Sequence, residues 1–342
     1  MSAETRTGAP VLEVDDLRIS FRERAAERAA VHGLGFSVEA GETLAIVGES
    51  GCGKSLTAFA LLGLLPGNAR ASGRVRLEGR DILGLEGEAM RRLRGTRIAM
   101  IFQEPMTALN PVLTIGAQIV EAIREHEAVS AADARTRTLS LLARVRIPDP
   151  ERRFGEYPHR LSGGMRQRVV IAMALACAPA VLVADEPTTA LDVTVQAEIL
   201  DLIDDLRRET GMAVVLITHD LGLVAEHADR VLVMYAGRAV EAGSAAALFA
   251  APRHPYTRAL VAARPRPGSA LRQRLVEIPG QVPPLGAMPP GCAFAPRCPA
   301  AEAPCRETPP PLQSVGTAAE RVACLRWKDL RAPDQSPVRL GA

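Results

Sequence analysis

The chain has 342 residues, 47% of them apolar, with 41 Lys and Arg against 39 Asp and Glu for a formal charge of +2. That length and apolar content support one large domain or two with a real core, and the near balance of charge excludes a strongly basic nucleic-acid binder. Residues 1–10 carry Glu4 and lack the apolar core of a secretory signal. The longest nearly apolar run, 169–184, has 16 residues and is interrupted by Pro179, short of the about 20 that a spanning helix needs. The sequence therefore predicts a soluble protein with no membrane segment of its own. Six cysteines in such a chain predict a reducing compartment, where clustering points to ligation before disulfides. Of the 41 basic residues two are lysines, Lys54 and Lys328, and the other 39 are arginines.

In chain order, 11–19 and 35–38 have strand-like content, and a turn at 39–42 leads into Thr43-Leu44-Ala45-Ile46-Val47. That run is short, partly β-branched and uncharged, as a strand buried on both faces is. A glycine-rich loop follows, then a helix-forming stretch at 56–65 ended by Pro66-Gly67. Residues 73–83 alternate as a strand, 98–102 form a short apolar strand, and 115–147 read as a helical insert rich in Ala, Leu, Glu and Arg. From Ser162 onward come a helix at 164–178, a buried strand at 181–184, a helix at 195–209 and a buried strand at 213–218. This alternation predicts an α/β fold whose parallel sheet is covered on both faces. No internal repeat is visible. Composition shifts near residue 264, and 11 prolines fall within the 33 residues 279–311, too many for helices or central strands. Four of the six cysteines lie in or just after this stretch, which builds little core alone and calls for a metal or covalent staple.

Gly48-Glu49-Ser50-Gly51-Cys52-Gly53-Lys54-Ser55 fits G-x-x-x-x-G-K-[ST], directly after a predicted buried strand and before a helix. The glycines let consecutive N–H groups face phosphate oxygens, and the helix N-terminus adds favourable partial charge. Lys54 is placed to reach the β- and γ-phosphates and the Ser55 hydroxyl to hold Mg²⁺. A compact ammonium fits between two phosphates where a planar guanidinium does not, which separates Lys54 from the arginine-rich background. Cys52 takes an unconstrained position of the pattern and reads as packing. Downstream, Val181-Leu182-Val183-Ala184-Asp185-Glu186 sets two carboxylates after an apolar strand. Asp185 can hold Mg²⁺ through water, and Glu186 can act on the attacking water as general base.

Leu161-Ser162-Gly163-Gly164-Met165-Arg166-Gln167-Arg168, lying 12 residues before the second buried strand, resembles the signature motif of ATP-binding-cassette (ABC) ATPases. The resemblance implies a P-loop NTPase fold with a parallel-sheet core, an antiparallel β subdomain and a helical subdomain. It divides the chain into a flexible tail at 1–10, an ABC nucleotide-binding domain at 11–263 with its helical subdomain at about 104–165, and a small Cys/Pro-rich extension at 264–342. It also implies roles by position. Gln103 matches the Q-loop glutamine that contacts Mg²⁺, Thr189-Ala190-Leu191-Asp192 the D-loop at a dimer interface, and His219 the switch histidine at the γ-phosphate. Phe21, 27 residues before Gly48, matches the aromatic that stacks on adenine. Nucleotide contacts then fall to Phe21, Gly48, Ser50, Gly51, Cys52, Gly53, Lys54, Ser55 and Leu56 of one cassette. Ser162, Gly163, Gly164 and Asp192 serve the nucleotide shared with a second cassette. Catalysis falls to Glu186, His219 and Gln103, and Mg²⁺ to Ser55, Gln103 and Asp185.

The closer resemblance is to ATPase subunits of oligopeptide and dipeptide importers, carried by 103–111, Tyr157-Pro158-His159, 184–196 and His254-Pro255-Tyr256-Thr257. Glu104 stands where many relatives have Asp. The resemblance implies a second ATPase subunit, most simply as a heterodimer, two transmembrane permeases that dock at about 103–125, and an extracytoplasmic solute-binding protein. It places the chain peripherally on the cytoplasmic face of the plasma membrane, with ATP and Mg²⁺ as cofactors and no nucleic acid as partner. Related subunits serve nickel, opine or other solutes, and other ABC ATPases act outside transport, so the solute class stays open at this point. Cys292-x5-Cys298-x6-Cys305-x18-Cys324 matches the cluster that ligates [4Fe–4S] in this family. Four thiolates suit that cluster or Zn²⁺, the spacing lacks the C-x2-C pairs common to both, and unligated cysteines are the third reading.

Overall fold

The computed structural model describes residues 9–23, 26–104, 108–189, 191–263 and 278–330. Most of the expected N-terminal tail, Pro105-Met106-Thr107, the D-loop Ala190 and the segments 264–277 and 331–342 lie outside them.

Two sheets organise the chain. In the smaller, β1 (Leu12–Glu23) and β2 (Ala26–Val38) form an antiparallel pair, extended by β4 (Ala69–Leu77) and β5 (Arg80–Asp81) in the order β2-β1-β4-β5. The larger has eight strands in the order β11-β12-β10-β9-β3-β8-β7-β6. Its parallel part comprises β3 (Thr43–Val47), β6 (Ile98–Ile101), β7 (Val181–Asp185), β8 (Ala213–Thr218) and β9 (Arg230–Tyr235). Three antiparallel strands complete it: β10 (Arg238–Ser244), β11 (Gln313–Val315) and β12 (Thr317–Val322).

The apolar strands read from sequence are buried on both faces, and side-chain alternation sends successive residues into different cores. Leu44 and Ile46 of β3 pack between the two sheets, while Ala45 and Val47 face the opposite side. On β8, Val215 and Ile217 join the inter-sheet core, and Val214 and Leu216 join the core under the helices.

Among the described residues the helices are α1 (Lys54–Leu61), α2 (Gly87–Arg91), α3 (Ile115–His126), α4 (Ala131–Arg144), α5 (Pro150–Phe154), α6 (Gly163–Ala174), α7 (Val193–Thr210), α8 (Leu221–His227), α9 (Ala245–Ala250), α10 (Pro255–Ala262) and α11 (Ala303–Glu307). The expected helical insert resolves into α3 and α4. Thr114 and Ser130 cap them, each accepting an N–H three residues on.

Several boundaries differ from the expected ones. The helix expected at 56–65 begins two residues earlier, inside the glycine-rich loop, and ends at Leu61. The helix expected at 164–178 stops at Ala174. The expected strand at 73–83 is β4, a turn and β5. The first part of β2, an Arg/Ala/Glu run without a strand pattern, is held extended by its pairing with β1, where Arg28 lies opposite Phe21. Elements between 221 and 250 had no sequence reading.

The proline-rich segment departs furthest from expectation. It contains the short helix α11, with Pro304 in the first turn, where a missing N–H costs nothing. β12, which follows the proline-rich stretch, pairs with β10 and extends the main sheet. Phe294 is fully buried against Tyr235, Tyr256 and His254.

His254 caps α10, its Nδ1 accepting the Tyr256 N–H at 3.0 Å, while its own N–H donates to Glu241 at 2.8 Å. Burial, with the positive charge of Arg258 adding, lowers its pKa from 6.5 to about 3. In the unfolded chain this imidazole protonates below about 6.5. Its contribution to stability is therefore complete above that pH and is lost as pH falls toward 3. His254→Asn, which retains a cap acceptor, should flatten the fall in unfolding midpoint between pH 6.5 and 4, followed by circular dichroism. An unchanged slope would show that His254 is not the group responsible.

Candidate functional site

Strand β3 ends at Val47 and delivers the loop 48–53 at the C-terminal edge of the parallel strands. Gly48 adopts φ 155°, and a Cβ there would lie 2.2 Å from the Met234 carbonyl, so no side chain fits. Gly53 takes the left-handed conformation (φ 100°) at the start of α1. Lys54 is 6% exposed, and its ammonium donates to the carbonyls of Gly48 at 2.7 Å and Glu49 at 3.1 Å. The loop thus closes around its own lysine. Cys52 is fully buried in the inter-sheet core, and burial pushes its thiol pKa up. It is a packing residue, as its place in the motif suggested. Leu56 is half-buried against the same core, so its side chain is taken up by packing. Ser50 and Gly51 are exposed.

Asp185 ends β7 and is 2% exposed. Burial raises its pKa, a hydrogen bond with Ser55 opposes the rise, and the neighbouring charge of Glu186 adds to it. One of its oxygens, Oδ1, is buried with no hydrogen-bond partner. A buried, unpartnered carboxylate oxygen beside a hydroxyl is a donor set for a hard divalent cation, and Mg²⁺ fits it.

Glu186 follows with φ 47°, a left-handed conformation uncommon outside glycine and a recognised form of strain at functional sites. Its carboxylate gathers three side chains. Gln103 Nε2 donates to Oε2 at 3.1 Å, Thr189 Oγ1 donates to the same oxygen at 3.0 Å, and His219 Nδ1 lies 3.4 Å from Oε1. The three residues expected to share the chemistry, Gln103, Glu186 and His219, are therefore in contact.

Ser162, Gly163, Gly164 and Asp192 form a second group on α6 and α7. Ser162 is exposed and caps α6. A Cβ on Gly164 would lie 2.8 Å from Val195, and one on Gly163 3.4 Å from Leu191, so the signature turn rests on the D-loop and on α7. Asp192 caps α7, accepting the Val195 N–H at 3.0 Å, a structural duty that the motif did not indicate. Phe21 sits on β1 opposite Arg28 and Ala69, half-buried.

Cys292, Cys298, Cys305 and Cys324 line one recess together with His254 and Phe294. All six cysteines are free thiols. Burial raises the pKa of Cys292 and Cys298 and takes that of Cys324 to about 11, with neighbouring thiols adding. Among the described residues, no group of three His, Cys, Asp or Glu side chains is arranged to hold a metal ion. No helix among them is long and apolar enough to cross a membrane.

Sequence reasoning missed what holds Glu49. Its N–H donates to the Tyr256 hydroxyl at 2.8 Å, and its carboxylate pairs with Arg297. Glu49 occupies a free position of the motif and Arg297 lies 248 residues away. The one available signal was Arg297 standing next to a cysteine of the cluster.

A phosphate loop, an Asp-Glu pair and a capped signature turn on a mixed sheet define a nucleotide-binding cassette ATPase. The ABC transporter family matches residues 31–189, and the C-terminal region of oligopeptide/dipeptide transporters matches 240–305. A Brucella abortus protein named for peptide import ATP binding is 50% identical over 94% of this chain and 99% of its own length. A Sinorhizobium fredii protein named as a peptide ABC transporter ATP-binding protein is 54% identical over 94% of this chain and 96% of its own. A dimeric ATP-binding cassette solved in a post-hydrolysis state with ADP and Pi superposes with a TM-score of 0.61 at 26% identity, over 68% of this chain and 98% of that one. The chain belongs to the ABC transporter ATP-binding proteins of the oligopeptide/dipeptide branch.

The closure of the loop on Lys54 yields a test. Arginine is larger and planar, and cannot be seated among the Gly48 and Glu49 carbonyls in the same way. Lys54→Arg should weaken MgATP binding by at least about tenfold, some 1.4 kcal/mol, measured by calorimetric titration. Unchanged affinity would dissociate Lys54 from the phosphate site.

Proposed function

We propose that this chain is the ATP-hydrolysing subunit of an importer for di- and oligopeptides. The observation that carries the reading is the convergence of Gln103, Thr189 and His219 on the carboxylate of Glu186, next to the buried Asp185 with its unpartnered Oδ1. ATP lies along residues 48–55, with Phe21 against adenine, the N–H groups of the loop at the phosphates and Lys54 between β and γ. Ser55, Asp185 and Gln103 would hold Mg²⁺, which would neutralise charge on the phosphate oxygens. Glu186 accepts a proton from water as its oxygen attacks the γ-phosphorus; the bond to the bridging oxygen breaks, releasing ADP and phosphate. His219 and Gln103 keep Glu186 and the water aligned. The exposed N-terminus of α6, with Ser162, Gly163 and Gly164, is placed to face the nucleotide of a second cassette.

The names of the relatives support peptides as the solute. They also support permease partners, and the exposed Phe102, Val112, Leu113 and Tyr157 supply an apolar surface for them. In this reading the unit 11–263 binds nucleotide, and 264–342 is an extension attached to it. A related second ATPase, two permeases and a solute-binding protein complete the assembly, with this chain on the cytoplasmic face of the membrane. The four thiols that line one recess are the residues that would hold a [4Fe–4S] centre, as the family resemblance implies, with Zn²⁺ as the alternative for the same thiolates.

Glu186→Gln should retain MgATP binding and lose hydrolysis by about a hundredfold or more, read as phosphate release from the assembled transporter with and without a labelled dipeptide. Full turnover in the variant would remove Glu186 as the base. Wild-type turnover without dipeptide uptake would remove the solute class. Anaerobically purified chain should show visible charge-transfer absorption and about four irons per chain; zinc in their place would reverse the assignment of the recess.

A further inference from the structure

We infer that Arg297, supplied by the C-terminal extension, is a positioning residue of the phosphate loop: it neutralises Glu49 and fixes that residue's place beside the nucleotide. The inference rests on the ATP site described above and is independent of what the four thiols hold.

The geometry is specific. Arg297 is 6% exposed on its side chain and engages all five of its N–H donors. Nε donates to the Pro279 carbonyl at 2.8 Å. Nη1 donates to Glu49 Oε2 at 2.7 Å and to the Tyr235 hydroxyl at 3.2 Å, and Nη2 to Glu49 Oε1 at 3.1 Å and to the Ile278 carbonyl at 3.0 Å. The pair with Glu49 is bidentate, the form that fixes orientation as well as charge.

At the other end, Glu49 is the residue after Gly48 and is held at three points. Its carbonyl accepts from Lys54, its N–H donates to Tyr256 and its carboxylate meets Arg297. Two of these restraints come from outside the glycine-rich motif, and one of them comes from the extension. A carboxylate at this position has an electrostatic consequence too. Left unpaired, Glu49 would set a negative charge next to the place where a triphosphate binds, and like charges at short range oppose binding. Arg297 removes that opposition and leaves the ammonium of Lys54 as the cation directed at the phosphates.

The charge argument separates this role from simple support of the extension, because it predicts suppression. MgATP affinity is measured by calorimetric titration on the full-length chain, with thermal unfolding of each variant alongside. Arg297→Gln should weaken binding by about tenfold. Arg297→Lys, which restores charge without the fork, should weaken it by about threefold. Adding Glu49→Gln to Arg297→Gln should recover most of the loss, since the unpaired carboxylate is gone. In the assembled transporter the same variants should raise the KM for ATP with kcat within about twofold, because Glu186, Gln103 and His219 are not touched. Wild-type affinity in Arg297→Gln, or a double variant as weak as or weaker than Arg297→Gln alone, would overturn the inference. Should Arg297→Gln fail to fold, Arg297→Lys decides the question, and wild-type affinity in that variant overturns it. Absence of MgATP binding by the wild-type chain would instead overturn the ATP-site reading, and this inference with it.

Discussion

Everything at the site depends on one strand being buried on both faces. Thr43–Val47 lies between β8 and β9, with Leu44 and Ile46 packed toward one core and Ala45 and Val47 toward another. A strand so held cannot shift register without moving apolar side chains out of both cores. The loop it feeds therefore starts from a fixed point, and a fixed start is what lets a chain of mostly unbranched backbone present its N–H groups to an anion. The same sheet brings β7 and β8 alongside, so that Asp185, Glu186 and, one residue beyond β8, His219 emerge at the same edge. The Glu186 N–H donates to the Ile217 carbonyl at 2.8 Å, which ties the strained residue to the neighbouring strand. Strain at Glu186 is maintained because its backbone and its carboxylate are both over-determined, the first by β8 and the second by Gln103, Thr189 and His219.

What was legible in the sequence follows from this dependence. Buried parallel strands appear as continuous apolar runs, so β3, β6, β7 and β8 could be placed to within a residue or two, and with them the phosphate loop and the Asp-Glu pair. Strands that owe their conformation to a neighbour could not be placed in the same way. The first half of β2 is extended because β1 pairs with it, and its Arg, Ala and Glu residues lie on a small sheet with an exposed face, where no apolar pattern is required. Asp192 shows the limit from another side. It was read through a motif as a residue at an interface, and its carboxylate caps a helix of its own chain. A cap needs only a short acceptor at a helix start, which a motif matched for another reason does not announce. His254 shows a third limit: nothing in its neighbours along the chain reveals that Phe294 and Glu241, brought in by tertiary structure, will enclose it.

The proline-rich stretch 279–311 adds no strand to the sheet, but the residues just after it do, and the reason is an edge. Without β12, strand β10 would end the main sheet with a row of unpaired backbone groups, which proteins cover or disrupt. Glu241 and Ala242 of β10 instead pair with Val322 and Arg321 of β12, and the short β11 closes the far side. Covering the edge brings the rest of the segment against the back of the phosphate loop. Phe294 enters the aromatic cluster with Tyr235 and Tyr256; the Tyr256 hydroxyl accepts the Glu49 N–H, and the Tyr235 hydroxyl accepts from Arg297, which pairs with Glu49. An edge that needed covering and a loop that needed backing are thus met by one segment. Proline suits that segment physically, since it limits the unfolded ensemble of a stretch with little core of its own. The extension is consequently part of the nucleotide-binding unit in the mechanical sense: perturbing its packing around Phe294 perturbs the residues on which the phosphate loop rests.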